Sequence, residues 1–262
     1  MNKKYLSLVL MTALFAAVFT SCKKDKENIY TVKLLEIITM CCSKSDGIDD
    51  DYFERYDKYK FEYDEQNRII KVSEYYYGGD LNYTMMLTYA GDDLVQVLYS
   101  HSNGSETREY TKSGNTITEK YNGKIYTIEL NSDGLPVTRE EERSGSTLVE
   151  TYYYKNGNMT QKAIRFTIPE NDYSEYHTYN YGYDNEKSAL YHCKTPKWWL
   201  IIHLNDFGVS NNITEENYIR HYGEYIYKFD GAGLPTKRTY KYIWGMAGHE
   251  RELVEEFTYI KK

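Results

Sequence analysis

Three tryptophans are the residues of this sequence whose chemistry is most suggestive of a binding site. Trp198, Trp199 and Trp244 stand among rows of alternating tyrosines, and the chain holds 31 tyrosines. Flat aromatic faces with polar tips stack on sugar rings, so these residues predict a platform for a glycan. Tyrosines at alternate positions are also typical of the core of a β-protein, and this second interpretation stays open.

The sequence lacks the compact motifs of the common enzyme classes. It contains no G-x-S-x-G, no H-E-x-x-H, no phosphate-binding loop and no dinucleotide-binding glycine pattern. A catalytic site would have to be assembled by the fold from distant acids and bases, such as Glu140, Glu141, Asp184 and His203. We therefore predict a protein without catalysis and without a cofactor, and keep a hydrolase as the alternative.

The sequence also gives no pattern that specifies a metal site. Its six histidines stand singly along the chain, and the acidic segment from Asp46 to Asp57 lacks the ligand spacing of an EF-hand loop. We predict no metal site, and a solvated loop from Asp46 to Asp57.

Cys22 is the cysteine with the most specific surroundings. It follows two lysines at positions 3 and 4, an apolar run from Leu6 to Phe19, and the small residues Thr20 and Ser21. Together these make a bacterial secretion signal, and the last part resembles the lipobox of bacterial lipoproteins. We expect a signal peptide over residues 1–21, a lipid anchor on Cys22 and a charged tether over residues 22–28. The alternative is a cleaved signal without lipid.

The other three cysteines raise the question of a disulfide. Cys41, Cys42 and Cys193 would lie in an oxidising compartment if the chain is exported. One cysteine of the adjacent pair can bridge to Cys193 and leave an odd thiol, or all three can stay reduced. The sequence leaves both possibilities open.

Charge and hydropathy restrict the partners. The formal net charge is −7, and removing Lys3 and Lys4 with the signal peptide makes it about −9, which disfavours nucleic acid. The mean hydropathy is −0.72, and no later apolar run reaches the length of a membrane helix. We predict attachment to the outer membrane through the lipid, on the periplasmic face or the cell surface, with a glycan or an envelope protein as partner.

A repeated phrase indicates the elements that must position these residues. An aromatic or apolar residue leads into a polar turn, often through Asp or Asn, and an apolar residue then restarts the chain. Clear copies are "YDEQNRI" from Tyr63, "YAGDDLV" from Tyr89, "LNSDGLP" from Leu130, "YDNEKSA" from Tyr183 and "FDGAGLP" from Phe229. The spacing of the first copies equals two strands and two turns, which predicts an antiparallel meander of β-hairpins. Pro136 and Pro235 should begin their strands, because proline lacks an amide donor.

The alternation between the turns predicts about a dozen strands in an all-β domain over residues 29–262. A sheet of that size tends to curl or close, so we expect a soluble barrel or a deep curved sheet, with tyrosine inside and Lys, Glu and Thr outside. The apolar stretch from Pro196 to Leu204 interrupts the hairpin rhythm. We interpret it as a segment that plugs the lumen or packs across the sheet, or else as a central strand or a short helix.

The string from Tyr183 to Tyr242, with "YDNEKSALY", "LNDFGVSNNIT" and "EYIYKFDGAGLPTKRTYKY", resembles an uncharacterised lipoprotein family of Bacteroidetes with a porin-like β fold. Its hairpins are also similar to the YD repeats of Rhs-type shell proteins, without their tight spacing. The resemblance implies a fold and no particular activity.

Overall fold

The computed structural model describes residues 32–42, 56–76, 79–204, 210–218, 221–244 and 249–262. Within these ranges the chain forms sixteen strands, one α-helix and one 3-10 helix. The strands are β1 Lys33–Cys42, β2 Tyr56–Tyr63, β3 Ile69–Tyr75, β4 Leu81–Ala90, β5 Asp93–His101, β6 Gly104–Ser113, β7 Thr116–Tyr121, β8 Lys124–Leu130, β9 Pro136–Arg143, β10 Ser146–Lys155, β11 Asn158–Ile168, β12 Tyr173–Lys187, β13 Asn211–Tyr218, β14 His221–Phe229, β15 Pro235–Trp244 and β16 His249–Lys261. The helix α1 is Lys197–His203, and the 3-10 helix is Pro169–Asn171.

The strands form one closed antiparallel barrel. Each strand pairs with its neighbours in sequence, and β16 pairs with β1 from Lys33 opposite Lys261 to Cys42 opposite Leu253. Closure removes the unpaired edges that an open sheet would expose. The predicted all-β meander is confirmed, and of the two predicted shapes the closed barrel is the one formed.

The number of strands exceeds the expected dozen. Strands such as β6 alternate polar residues on both faces and bury only one residue fully, Tyr110. Such a segment lacks the apolar alternation by which a strand is recognised in a sequence, although its backbone pairs normally with β5 and β7. Pairing on both sides therefore stabilises strands that apolar patterning alone does not predict.

The copies of the repeated phrase that form turns all lie at one end of the barrel, because the phrase recurs at every second turn of the meander. We call this end the repeat end. It consists of the turns that follow the even-numbered strands from β2 to β14, and the first residue of β1 and the last residue of β16 also lie there. The long connection between β12 and β13 starts and finishes at this end. The repeat thus marks one mouth of the barrel.

Three of these turns use the same side-chain chemistry. Asp64, Asn131 and Asp230 each accept hydrogen bonds from the backbone amides two and four residues later, at 2.8–3.1 Å. Gly134 and Gly233 follow in the left-handed conformation, with φ of 73° and 74°. An acidic or amide side chain followed by glycine therefore reverses the chain without strain, which explains why the phrase recurs.

Tyrosines fasten the strands beside these turns. Pro136 and Pro235 begin β9 and β15 as predicted, and their carbonyl groups accept hydrogen bonds from Tyr154 and Tyr259 at 2.8 and 2.7 Å. Two further bonds of this type join the Tyr63 hydroxyl to the Leu35 carbonyl and the Tyr89 hydroxyl to the Ile69 carbonyl, both at 2.8 Å. A tyrosine near the end of one strand thus binds the beginning of the strand before it.

The helix α1 lies inside the barrel wall. Its residues Trp198 to Ile201 are buried, and Trp199 is 0% exposed. Trp198 packs edge-on against Tyr110 of β6, with 5.1 Å between ring centroids. Trp198, Trp199 and Leu200 share one apolar cluster with inward residues of the wall, namely Leu35, Ile38, Phe61, Ile69, Val72, Met85, Leu87, Leu94, Val97, Tyr110, Ile117, Ile128 and Phe257. The stretch is thus a short helix, one of the predicted alternatives, and it packs against the inward residues of the wall as a plug would.

Hydrogen bonds to Asn67 and Ile69 hold the segment before the helix. We call residues 188–204 the plug segment. The Thr195 hydroxyl accepts a hydrogen bond from the Ile69 amide at 2.7 Å, and the Lys194 amide donates to the Asn67 carbonyl at 2.9 Å. Because α1 has only seven residues, packing and these bonds must stabilise it rather than helix propensity.

The exposed surface of the strands is mixed, with polar residues and with apolar ones such as Ile70, Met86 and Ile125. On β6 the outward residues Thr107, Glu109 and Thr111 are exposed, and on β14 Glu224 and Lys228 are exposed beside a single isoleucine, Ile226. These positions agree with the predicted exterior of Lys, Glu and Thr. Among the described residues, no helix is long and apolar enough to cross a membrane.

Candidate functional site

Five charged side chains form a ladder across the inner wall of the barrel. Arg108 on β6 contacts Glu119 on β7 at 2.5 Å, and Arg139 on β9 contacts the same carboxylate at 3.1 Å. Arg139 and Lys162, from β9 and β11, both contact Glu150 on β10, at 3.3 and 3.0 Å. We call these five residues the charge ladder. Each carboxylate lies between two cations, which offsets the cost of removing it from water.

Tyrosine rings support the cations of the ladder. The guanidinium groups of Arg108 and Arg139 lie 4.0 and 4.1 Å from the ring centroids of Tyr121 and Tyr126. These distances are within the range of cation–π attraction, so the rings stabilise charges that the strands bury. Nε of Arg108 is buried and has no hydrogen-bond partner among the described residues.

His203, at the end of α1, lies beside the charge ladder. Its Nε2 is 3.4 Å from the Tyr110 hydroxyl. Burial, with a smaller contribution from Arg108 and Arg139, holds the pKa of His203 well below its usual value. The imidazole is therefore neutral at physiological pH and adds no charge to the ladder.

The four residues that were candidates for a hydrolytic site have separate roles. Glu141 is bound by Arg143 at 2.6 Å and by Lys124 at 3.1 Å, and the hydrogen bond from Arg143 is the main reason that its pKa falls to about 2. Asp184 accepts a hydrogen bond from the Asn212 amide at 3.1 Å. Glu140 is exposed while its neighbour Glu141 is buried, as expected for adjacent residues of a strand.

Within the described part of the chain, no hydrogen bond or ion pair joins any two of these four residues. Glu141 also keeps its charge at neutral pH and is occupied by two cations. Among these four residues there is thus no carboxylate–histidine contact of the kind that acid–base catalysis uses.

A cavity of about 620 Å³ opens at the repeat end, between the plug segment and the turns. We call it the mouth cavity. The barrel contributes Asp92, Asp93, Lys112, Leu130, Asp133 and Gly134, and the long connection contributes the residues from Tyr191 to Trp198 together with Ser210. Its size lies within the range of small-molecule sites.

The rim of the mouth cavity is charged and its floor is apolar. Asp93 and Lys112 form an ion pair at 2.9 Å. Tyr191 is 47% exposed, whereas Trp198 is buried and contributes to the floor. Burial, with Lys187 and Lys194, lowers the pKa of His192, so this lining residue is neutral at physiological pH. A ligand here would meet an aromatic floor and charges of both signs.

Of the three residues predicted for glycan stacking, the two in α1 are buried. Trp198 and Trp199 lie in the core, and of these two only Trp198 reaches the mouth cavity. Trp244 belongs to β15, and its side chain lies outside the described residues, as does all of Cys22. An aromatic core therefore describes Trp199 better than a binding surface does.

The structure contains Cys193 as a free thiol, so it does not contain a bridge to this residue. Burial raises the pKa of the Cys193 thiol, which keeps it protonated and poorly reactive. Cys41 and Cys42 belong to β1, and their side chains lie outside the described residues, as does most of the acidic segment from Asp46 to Asp57. Among the residues described, no group of His, Cys, Asp and Glu is placed to hold a metal.

Sequence reasoning missed the charge ladder, although a signal was present. Arg108 stands two residues before the buried Tyr110, and Glu119 stands two residues after the buried Ile117. Residues two apart on a strand share a face, so these charges had to point inward with the apolar residues.

Comparison with known proteins identifies the fold. No protein-family model and no curated protein matches the sequence. A porin-like protein from Bacteroides uniformis matches with a TM-score of 0.51 and 15% sequence identity, over 87% of this chain and 96% of that chain. A porin-like protein from Bacteroides vulgatus matches with a TM-score of 0.40 and 12% identity, over 87% and 99% of the two chains. On the first of these matches, the chain has the fold of a porin-like barrel.

Proposed function

We propose that this chain is a lipid-anchored protein of the cell envelope, and that its barrel is a non-catalytic binding module with the mouth cavity as its site. The observation that carries the proposal is the construction of the cavity. Its walls come from two turns, the ends of three strands, the plug segment and Ser210, and the hydrogen bonds of Thr195 and Lys194 hold the plug segment in place. A cavity that is fixed before binding loses little entropy when a ligand enters.

The lumen supports a role without catalysis. The charge ladder pairs its charges with one another, and Glu141 is occupied by Arg143 and Lys124. Such pairing favours rigidity over reactivity, because a catalytic group needs an unpaired side chain that reaches the substrate. We therefore interpret the charge ladder as a set of ion pairs that stabilises the barrel wall.

The sequence around Cys22 supports the anchor, and the fold adds a consequence. The first strand begins at Lys33, at the repeat end, where the mouth cavity also lies. A chain of the length between Cys22 and Lys33 reaches at most about 40 Å. A lipid on Cys22 would therefore keep Lys33 within about 40 Å of the membrane.

The test combines fractionation with ligand binding. The Cys22→Ala variant should move from the membrane fraction to the soluble fraction of cells. Tryptophan fluorescence of the mature chain should respond to a cavity ligand in a panel of sugars, amino acids and peptides. Trp198→Phe should abolish the response, whereas Trp199→Phe, at a tryptophan outside the cavity lining, should keep it. A panel without any response that depends on Trp198 would refute the binding role.

Capture of a glycan is the second candidate. It is favoured by the combination of Trp198 in the floor and the exposed Tyr191 on the rim, because sugar rings stack on such residues and their hydroxyl groups bind carboxylates. A glycan array with the mature chain tests it, and uniformly flat signals would exclude it.

A further inference from the structure

The barrel and the plug segment contribute unpaired charges of opposite sign to the lining of the mouth cavity. Asp92 and Asp133 lie in the turns after β4 and β8, and Lys194 and Lys197 lie on the plug segment. All four residues are exposed. Within the described residues, none of the four side chains forms an ion pair. The barrel thus presents two carboxylates to the cavity, and the plug segment presents two ammonium groups.

The remaining charges of the lining cancel. Asp93 and Lys112 bind each other at 2.9 Å, and the depressed pKa of His192 leaves that side chain neutral. Among the residues that the structure describes, the lining therefore has two free positive and two free negative groups. A ligand with a single charge would be attracted by one wall and repelled by the other, whereas a molecule with both charges would be attracted by both.

The apolar floor of the cavity sets a second requirement for the ligand. Leu130, Pro196 and Trp198 line it, and Trp198 is fixed against Tyr110 with 5.1 Å between ring centroids. An apolar group that enters a preformed apolar floor gains free energy because it leaves water. The preferred ligand should therefore carry an apolar group between or beside its two charges.

We propose that the mouth cavity binds a zwitterion with apolar side groups, of the class of amino acids and short peptides. Its ammonium group is directed to Asp92 and Asp133, and its carboxylate to Lys194 and Lys197. This inference rests on the proposed binding function and names the class of its ligand. Charge-assisted hydrogen bonds at both ends would fix the orientation of the ligand.

The experiment is isothermal titration calorimetry on the mature chain with Cys22→Ala, which avoids detergent. The probes are leucyl-leucine, its N-acetyl form and its C-terminal amide. Each blocked form lacks one charge and keeps both side chains. We expect leucyl-leucine to bind and each blocked form to bind about tenfold more weakly or worse, since a hydrogen bond to a charged group is lost.

Paired variants assign each end of the ligand. Asp92→Asn with Asp133→Asn should remove the difference between leucyl-leucine and its N-acetyl form, and leave the preference against the amide. Lys194→Gln with Lys197→Gln should do the reverse. Glu140→Gln with Lys241→Gln, at exposed residues of β9 and β15, is the matched control and should change neither preference. Far-UV circular dichroism checks that each variant is folded.

The outcomes separate the two proposals. Equal binding of the zwitterion and its blocked forms would overturn the zwitterion site. Absence of dipeptide binding, together with a Trp198-dependent response to a sugar, would overturn it and leave the binding function standing. Absence of any Trp198-dependent response would overturn both. The comparison among the three peptides needs no cavity variant, so its result does not depend on whether a variant folds.

Discussion

Glu119→Gln tests whether the charge ladder stabilises the barrel. The carboxylate is 0% exposed, and it binds Arg108 through one oxygen at 2.5 Å and Arg139 through the other at 3.1 Å. Glutamine keeps the shape of the side chain and removes its charge. Arg139 then retains Glu150 at 3.3 Å, whereas Arg108 keeps no ion pair among the described residues.

The magnitude follows from these contacts. Breaking a buried ion pair by removing one partner costs about 3–5 kcal/mol, since the other charge is left buried and unpaired. Arg108 keeps 19% side-chain exposure and still lies over the ring of Tyr121, so part of the loss is offset. We expect the free energy of unfolding to fall by about 3 kcal/mol.

The assay is urea unfolding followed by circular dichroism, with two further variants. Glu109→Gln, at an exposed residue of β6, is the control and should stay within about 0.5 kcal/mol of the natural protein. Arg108→Met added to Glu119→Gln should recover stability, because it removes the stranded charge. If Glu119→Gln proves no more destabilising than Glu109→Gln, the charge ladder does not stabilise the barrel.

Three further measurements test other parts of the structure. Trp199→Ala should lower the free energy of unfolding by about 3–5 kcal/mol in urea, because it empties a fully buried site, and a loss below about 1 kcal/mol would contradict the plug. Asp230→Ala should lower the free energy of unfolding by about 1–2 kcal/mol in the same assay, because the hydrogen bonds from two backbone amides and the 2.6 Å ion pair with Lys33 are lost. An unchanged urea midpoint would contradict the proposed role of this side chain in the turn. The pKa of Glu141 is lowered to about 2, so its stabilising contribution is complete above about pH 5 and is lost as the pH falls towards 2. The stability difference between the natural protein and Glu141→Gln should shrink over that range, and a constant difference would exclude the linkage.

The sequence predicted the parts of the fold that follow from local chemistry. The turn phrase, the prolines at the starts of β9 and β15 and the tyrosine alternation are each set by a few neighbouring residues. The apolar stretch around Trp199 was recognisable as an interruption, and its burial follows because so apolar a segment gains free energy by leaving water. These local preferences are consistent with one another, and the meander could be inferred from them.

The ladder and the mouth cavity depend on contacts between distant segments. Arg139 and Glu119 are twenty residues apart and meet only because β8 lies between their strands, where it places Tyr126 opposite Glu119 and Ile128 opposite Arg139. Asp133 and Lys194 line one cavity only because the plug segment returns to the repeat end. No local pattern encodes such meetings, so the candidate site could not be predicted from the sequence.

The hydrogen-bonded meeting of β1 and β16 makes the order of the strands cyclic. A circularly permuted chain could join Lys261 to Lys33 through a short linker and begin instead at Gly123, in the turn between β7 and β8. Every strand would keep both partners, yet the new terminus would emerge from the opposite mouth. The position of the cut, and not the wall, therefore decides at which mouth the chain begins and ends.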